Sequence, residues 1–171
     1  MKTRIVIAGG GFAGLYAAMY FDKTLARRAE ADVTLISREN YILLTPLLHE
    51  VAAGDLYPSD IVNPLRSILR HVRVAEAEVQ AIDLDARTLR CIAGVRRIRR
   101  EFQYEHLLLT LGSETNFFDA AGVRDWAFTM KNMSDAALLR NHTVALLEEV
   151  ILETDDTVRR QMLTLDRKSV V

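Results

Sequence analysis

The chain has 171 residues, a formal net charge of −1, 50% hydrophobic residues and 26% charged residues. This length and composition predict one globular domain with a hydrophobic core, and the near-neutral charge gives no general affinity for nucleic acid or an anionic membrane. Cys91, the single cysteine of the sequence, excludes a disulfide within the chain and fits a reducing cytosol.

The first predicted elements are a buried strand at residues 5–8, a glycine turn and a helix over residues 12–28. Gly9, Gly11 and Gly14 form the pattern G-x-G-x-x-G between this strand and this helix. Gly9 allows the tight turn, Gly11 lets a pyrophosphate approach the backbone, and Gly14 lets the helix lie close to the strand. Because free N–H groups at a helix start attract phosphates, the stretch predicts a dinucleotide-binding βαβ unit.

The same stretch allows a second interpretation, as a secretory signal. Lys2 and Arg4 provide a basic start, and residues 5–21 carry no charge. Three consecutive glycines and the lack of a convincing cleavage site argue against a signal peptide. The uncharged run is also too short and too rich in glycine for a membrane span.

The second predicted strand, at residues 31–36, ends at a position that usually carries an acidic residue for the adenosine ribose. Ser37 stands there, followed by Arg38 and Glu39. A serine can still bond a ribose hydroxyl, and Glu39 supplies a nearby carboxylate. Arg38 instead favours a 2′-phosphate or an adenine face, so these residues leave the nucleotide open.

Two short helices and a group of strands follow. One helix is predicted from Pro46 to Gly54. Ser59 is predicted as the N-cap of the next segment, in which the regular helix starts at Pro64 and runs to about Arg70. Alternation then predicts strands at residues 72–75, 78–83, 88–92 and 95–100, forming an antiparallel meander inserted in the parallel order. Cys91 is interpreted as a core residue. Four arginines at residues 96, 97, 99 and 100 are interpreted as the solvated face of an edge strand rather than a phosphate or lipid patch.

A last buried strand at residues 106–111 ends in a glycine turn, a position that points at the ligand crevice of a doubly wound sheet. Residues 117–128 are predicted to be irregular, and Ser134 is predicted to cap a helix over residues 135–152. His142 is interpreted as a helix-surface residue, and the sequence suggests no metal site or catalytic triad. The fold class is therefore α/β, a Rossmann-like parallel sheet with flanking helices and an inserted antiparallel β-meander.

Five segments together resemble the N-terminal part of type II NADH dehydrogenases, the single-subunit NADH:quinone oxidoreductases. This family belongs to the two-dinucleotide-domain flavoproteins. The segments are residues 5–15, 33–41, 44–52, 59–66 and 109–116. Thr-Pro-Leu-Leu at residues 45–48 and Leu-Gly-Ser-Glu-Thr-Asn at residues 111–116 are more specific than the glycine motif. The match predicts an FAD/NAD(P)-binding domain over residues 1–165.

The resemblance implies FAD as the bound nucleotide, NADH as the hydride donor and a quinone as the acceptor. By it, the diphosphate is held by Gly9, Gly11, Phe12, Ala13 and Gly14, and the adenosine lies among Ser37, Arg38, Asn40 and the backbone of Val79. Tyr41, Thr45, Pro46 and Leu47 run towards the isoalloxazine, and Thr110, Leu111 and Gly112 form a second flavin contact. No acid, base, nucleophile or metal ligand is implied, because the flavin does the chemistry.

The resemblance also implies parts that this sequence does not contain. These are a second nucleotide-binding unit for NADH after residue 164, an acidic segment that returns to the flavin, and a C-terminal part that meets the membrane. The tail at residues 166–171 looks like translated sequencing adapter, which predicts a truncated reading frame. We therefore expect weak or no FAD retention and no NADH oxidation by this chain alone.

Intact members of the family are expected in the cytoplasm, bound peripherally to the cytoplasmic face of the membrane. A homodimer is compatible with the resemblance, and no nucleic-acid partner is expected.

Two other functions stay open. One is an FAD-dependent NAD(P)H reductase with another acceptor, of the sulfide:quinone or ferredoxin type, and the other is a nucleotide-binding module without turnover. Disulfide reductases carry cysteines after the second strand, and this chain does not, which favours a diffusible acceptor over a thiol.

Overall fold

The computed structural model of the protein describes residues 2–165. Its strands in chain order are β1 (Thr3–Ala8), β2 (Ala31–Ser37), β3 (Tyr41–Leu43), β4 (Val62–Pro64), β5 (Arg73–Asp83), β6 (Thr88–Ala93), β7 (Ile98–Gln103) and β8 (His106–Leu109). Six of them form one sheet in the order β7-β6-β5-β2-β1-β8, and β3 pairs with β4 in a separate antiparallel ribbon. β1 is parallel to β2 and β8, and β2 is parallel to β5. The predicted Rossmann-like fold with an antiparallel meander is confirmed.

The helices are short, with two exceptions. They are α1 (Phe12–Lys23), α2 (Leu48–Ala53), α3 (Leu65–Ile68), α4 (Val123–Trp126), α5 (Met133–Glu149) and α6 (Asp156–Met162), and single 3-10 turns occupy Thr45–Leu47 and Pro58–Ile61. Among the described residues, no helix combines the length and the apolar character that crossing a bilayer requires.

The chain divides into two compact units. Of the described residues, the first unit comprises 2–44 and 62–116 and holds both sheets, α1 and α3. The second unit comprises residues 45–61 and 117–165 and is helical. The predicted tail at residues 166–171 lies outside the described residues.

The core of the first unit forms on both faces of the parallel strands because residues 5–8 of β1 and residues 33–37 of β2 are buried in succession. On one face Ile7 and Leu35, both with no exposed surface, pack with Leu15 and Ala18 of α1. The opposite face of β1 and β2 packs against the antiparallel strands through a cluster of Val6, Ala8, Ile36, Ala77, Leu89, Cys91 and Tyr104. Cys91 is therefore a core residue, as predicted, and burial raises the pKa of its thiol to about 11.

The two strands predicted at residues 72–75 and 78–83 are in fact one strand, β5. Its first part pairs in parallel with β2, from Thr34↔Arg73 to Ser37↔Glu76. Its second part pairs antiparallel with β6, and a register shift falls between Val79 and Ala81. One strand thus belongs to both the parallel sheet and the meander, which local alternation does not reveal.

Three predicted helix boundaries are wrong, each for a local reason. α1 ends at Lys23 and not near residue 28, since Thr24 leaves helical geometry with φ −115° and ψ −102°. Ser59 lies inside a 3-10 turn and caps no α-helix, whereas α3 begins at Leu65, directly after the Pro64 predicted to start it. α5 is capped by Asn132, which exchanges hydrogen bonds with Asp135 in a capping box and so leaves Ser134 inside the helix.

The second unit contains a helix pair that the sequence partly predicted. α2 ends at Gly54 in left-handed geometry, φ +91°, as expected, and α2 packs against α5. α4 forms within the stretch predicted to be irregular. His142 is exposed on α5, and its ring lies 4.9 Å from that of Phe128, which fits the helix-surface interpretation.

Candidate functional site

The glycine turn lies where three parallel strands end together. Ala8, the last residue of β1, pairs with Ile36 of β2 on one side and with Leu109 of β8 on the other. The Gly9 N–H donates to the Ile36 carbonyl at 2.8 Å, and the Thr110 N–H donates to the Ala8 carbonyl at 2.8 Å. The turn is therefore held between its neighbouring strands at the carboxyl edge of the sheet, where open α/β folds bind ligands.

Two glycines allow backbone segments to approach each other closely. Gly9 has φ +113°, and a Cβ atom there would overlap the Thr110 carbonyl. A Cβ atom on Gly14, which is buried in the first turn of α1, would overlap the Gly9 carbonyl oxygen and lie 2.7 Å from the Thr110 hydroxyl. These positions therefore bring the turn, α1 and the end of β8 into direct contact.

Gly11 differs from both, because its missing side chain leaves open space. Its φ of −71° suits any residue, and a Cβ atom there would meet nothing within 4 Å. Gly11 is also the N-cap of α1, and no side chain caps the helix there. The N–H groups of the first helical turn have no intrahelical acceptor. Backbone donors and the positive end of a helix dipole thus face an uncrowded surface, an arrangement suited to a phosphate group.

Ser37 is packed against the turn itself. It is 7% exposed, and a Cβ atom on Gly10 would overlap its Oγ. Gly10 was not among the predicted site residues, although a glycine at the free position between Gly9 and Gly11 is a signal for close packing at the turn. Gly10 and Ser37 thus form a matched pair of small residues, and the pair leaves no room for a larger side chain at Gly10.

The residues that follow Ser37 differ in exposure. Arg38 and Asn40 are exposed, whereas Tyr41 is half-buried in β3. Burial raises the pKa of Tyr41, and the charge of Glu39 and a hydrogen bond to its carboxylate raise it further. Glu39, which the sequence offered as a ribose ligand, is therefore engaged with Tyr41. The hydroxyl of Tyr41 stays protonated at neutral pH.

The end of β8 supports the turn through one side chain. The Thr110 hydroxyl lies 3.0 Å from the Ala8 carbonyl oxygen and 2.9 Å from that of Gly9, and it donates to this pair. Leu111 and Gly112 follow on the surface, and Gly112 adopts φ +82°. Val79 lies in β5, half-buried against the meander at the register shift.

The structure brings most predicted site residues of the first unit to one edge of the sheet. They are Gly9, Gly11, Phe12, Ala13, Gly14, Ser37 and Thr110. Thr45, Pro46 and Leu47 belong to the second unit, where they form a 3-10 turn. Within residues 2–165, no group of three His, Cys, Asp or Glu side chains is placed to hold a metal ion.

Comparison with known proteins identifies the family. The family model described as pyridine nucleotide-disulphide oxidoreductase matches residues 3–158, so the chain belongs to this family. A curated relative from Mycobacterium tuberculosis, named type II NADH:quinone oxidoreductase NdhA, is 37% identical over 166 residues, which is 95% of this chain and 34% of the relative. A type II NADH:quinone oxidoreductase from Staphylococcus haemolyticus is 32% identical over 143 residues, 82% of this chain and 34% of the relative.

The resemblance to type II NADH dehydrogenases is thereby confirmed, and the chain spans about a third of the length of these relatives. Among solved structures, NDH2 from Plasmodium falciparum in complex with RYL-552 has a TM-score of 0.82 and 26% identity, over 95% of this chain and 33% of that chain. The sulfide:quinone oxidoreductase of Aquifex aeolicus has a TM-score of 0.67 over 88% of this chain and 33% of that chain. Its 22% identity shows a shared fold alone.

Proposed function

We propose that this chain supplies the FAD-binding part of an NADH:quinone oxidoreductase, with the FAD-binding domain over residues 1–165. The observation that carries the proposal is the open surface at Gly11, beside the uncapped start of α1 and at the carboxyl edge of the sheet. The names of the curated relatives support NADH as the donor and a quinone as the acceptor.

The diphosphate of the nucleotide is assigned to the glycine turn. Backbone N–H groups at Phe12 and Ala13 are unpaired by helix geometry and would bind phosphate oxygens. Gly11 adds no side chain that would keep the phosphates away. Gly9 and Gly14 act indirectly. Because neither has a side chain, the turn can pack directly against α1 and the end of β8.

The remaining assignments follow the family resemblance. Adenosine contacts are assigned to Ser37, Arg38, Asn40 and Val79, and isoalloxazine contacts to Tyr41, Thr45, Pro46, Leu47, Thr110, Leu111 and Gly112. The small Ser37 leaves the ribose a hydroxyl partner in place of the usual carboxylate. Because the single O–H of Tyr41 is engaged with the Glu39 carboxylate, the contact assigned to Tyr41 would come from its ring.

When bound, FAD supplies the chemistry, by taking a hydride from NADH and passing two electrons to the acceptor. The chain's own residues bind and orient the nucleotide, and none is assigned as an acid, base or nucleophile. Attachment to the cytoplasmic face of the membrane is assigned, by the resemblance, to a C-terminal part outside this sequence. A homodimer is compatible with the same resemblance.

The sequence and structure offer no thiol for an alternative electron path. Cys91 is the single cysteine of the sequence, it is 2% exposed, and burial raises the pKa of its thiol to about 11. A reactive cysteine needs exposure and a lowered pKa. The location of Cys91 therefore favours a diffusible acceptor over a dithiol.

The test is titration of the purified 171-residue chain with FAD, ADP and riboflavin. Calorimetry measures the binding of all three, and flavin fluorescence also measures the binding of FAD and riboflavin. FAD and ADP should both bind weakly: both carry the diphosphate that the glycine turn is proposed to hold, but the resemblance assigns further flavin contacts to residues outside this sequence. Riboflavin, which lacks the phosphates and adenosine, should bind far more weakly. Riboflavin binding as tight as FAD binding would contradict the assignment.

A second step separates binding from turnover. NADH added without oxygen to the FAD-loaded chain should leave the flavin absorbance unchanged, because the resemblance assigns the NADH site to residues after 164. Rapid bleaching would show that this chain carries its own NADH site and would overturn that assignment. If FAD binds and is not bleached, this chain binds the nucleotide but does not oxidise NADH by itself. The proposed oxidoreductase activity then belongs to the longer protein.

A further inference from the structure

The β6–β7 hairpin carries a concentrated positive charge at its tip. Arg96 and Arg97 lie in the turn between the strands, and Arg99 and Arg100 follow in β7. All four side chains are exposed, and within residues 2–165 none of them forms a hydrogen bond or an ion pair. The whole chain has a net charge of −1, so this charge is a local feature and not a general excess.

Protection of the sheet edge accounts for only half of this charge. β7 is the outer strand of the sheet, and charged side chains on an edge strand discourage pairing with another chain. That reason applies to Arg99 and Arg100, which lie within the ladder opposite Ile92 and Cys91. Arg96 and Arg97 lie beyond the last pair, Ala93↔Ile98, where no edge needs protection.

The tip of the hairpin also carries an apolar side chain, Val95, which lies between Gly94 and Arg96. Gly94 accepts a hydrogen bond from the Arg97 N–H at 3.0 Å, which closes the turn around Val95. Val95 is fully exposed at 102%, and Ile98, the first residue of β7, is 42% exposed. Such turns usually carry Gly, Asn, Asp or Ser, so a valine at the tip contributes nothing that the turn itself requires.

We propose that this hairpin tip, residues 94–100, docks on an anionic phospholipid surface. Arginine side chains next to an anionic leaflet are attracted to its headgroups, and the attraction falls off within a Debye length. A projecting aliphatic side chain between cationic groups adds insertion at the headgroup boundary, a combination typical of interfacial binding. A soluble polyanion would match the arginines but would give Val95 no apolar partner. Residues 94–100 include none of those assigned to the nucleotide, and the test of this surface does not depend on FAD.

The test is co-sedimentation of the purified 171-residue chain with vesicles of equal parts phosphatidylglycerol and phosphatidylcholine, compared with phosphatidylcholine alone. The chain should sediment with the anionic vesicles only, and raising the salt concentration should release it. The variant R96E/R97E should reduce the bound fraction at least about tenfold. Variant V95S, which changes a fully exposed side chain and leaves the fold intact, should reduce it several-fold without changing the salt dependence.

The matched control is R27E/R28E, which makes the same change of charge at two exposed arginines in the segment after α1. This control should bind anionic vesicles like the original chain. Equal losses in the control and in R96E/R97E would show general charge attraction and overturn the proposal. Failure of the original chain to bind would overturn it too. Binding to heparin with no effect of V95S would identify a soluble polyanion as the partner and equally exclude the lipid surface.

Discussion

The hydroxyl of Thr110 lies 2.9 Å from the carbonyl oxygen of Gly9, although 101 residues separate them in the chain. The same hydroxyl lies 3.0 Å from the Ala8 carbonyl oxygen. The end of β8 therefore fixes the conformation of the turn that follows β1. In this way a residue late in the first unit determines the shape of the proposed phosphate site near its beginning.

Removing that hydroxyl should destabilise the turn. Val has nearly the same shape as Thr but cannot donate, so T110V should lower the free energy of unfolding by about 1 kcal/mol. T110S keeps the donor and should recover most of this loss. Urea unfolding of both variants measures the difference, and equal stability of T110V and the original chain would mean that the hydroxyl does not hold the turn.

The buried carboxylate of Asp22 is expected to be a major structural contact. Its Oδ1 accepts hydrogen bonds from the N–H groups of Arg70, His71 and Val72 at 2.9, 2.6 and 2.9 Å. D22A leaves three donors without an acceptor and should cost about 3 kcal/mol. D22N retains an acceptor oxygen and should cost about 1 kcal/mol.

Thermal and urea unfolding of D22A and D22N provide the comparison. The control is D32A, an exposed carboxylate at the start of β2. The interpretation fails if D22A and D32A lose the same stability.

Gly14 is expected to tolerate no side chain. A methyl group there would overlap the Gly9 carbonyl oxygen, and neither backbone segment can move without disturbing β1. G14A should therefore lose about 1–3 kcal/mol, the usual cost of overpacking, or fail to fold. G11A is its matched control because a methyl group at Gly11 meets nothing. Unfolding curves that coincide for G14A and G11A would refute the close packing of α1 on the turn.

The thiol of Cys91 should make stability fall at alkaline pH. Its pKa rises from an ordinary value of 9.0 to about 11 on burial, so the folded state keeps its proton where the unfolded state has lost it. This contribution is complete below pH 9 and decreases as the pH rises from about 9 through 11. C91A lacks the group and should show a flatter dependence over that range. Urea unfolding at a series of pH values tests this, and identical slopes for both proteins would contradict it.

Local sequence signals were sufficient for the elements that carry the proposed site. The β1–turn–α1 unit follows from an apolar run, a glycine pattern and a helix of small residues, all within residues 5–23. Gly54 likewise ends α2 because a left-handed residue is needed there. In each case the physical cause lies in the residues themselves, so the sequence contains it.

Features that depend on distant pairing could not be predicted in the same way. β5 changes partner from β2 to β6 along a continuous strand, and only the tertiary arrangement determines where one pairing stops. The choice of Asn132 over Ser134 as helix cap depended on the reciprocal partner Asp135. The fit of Ser37 against Gly10 needed β2 and the turn to be placed side by side.

The central claim, that the missing side chain of Gly11 leaves room for a nucleotide diphosphate, is tested most directly by comparing the affinity of G11A and the original chain for FAD. A Cβ atom at Gly11 would meet no other atom within 4 Å, so both proteins should unfold at nearly the same urea concentration. G11A should bind FAD at least about tenfold more weakly, a loss of about 1.4 kcal/mol or more. Equal FAD affinity for the two proteins, at equal stability, would contradict it.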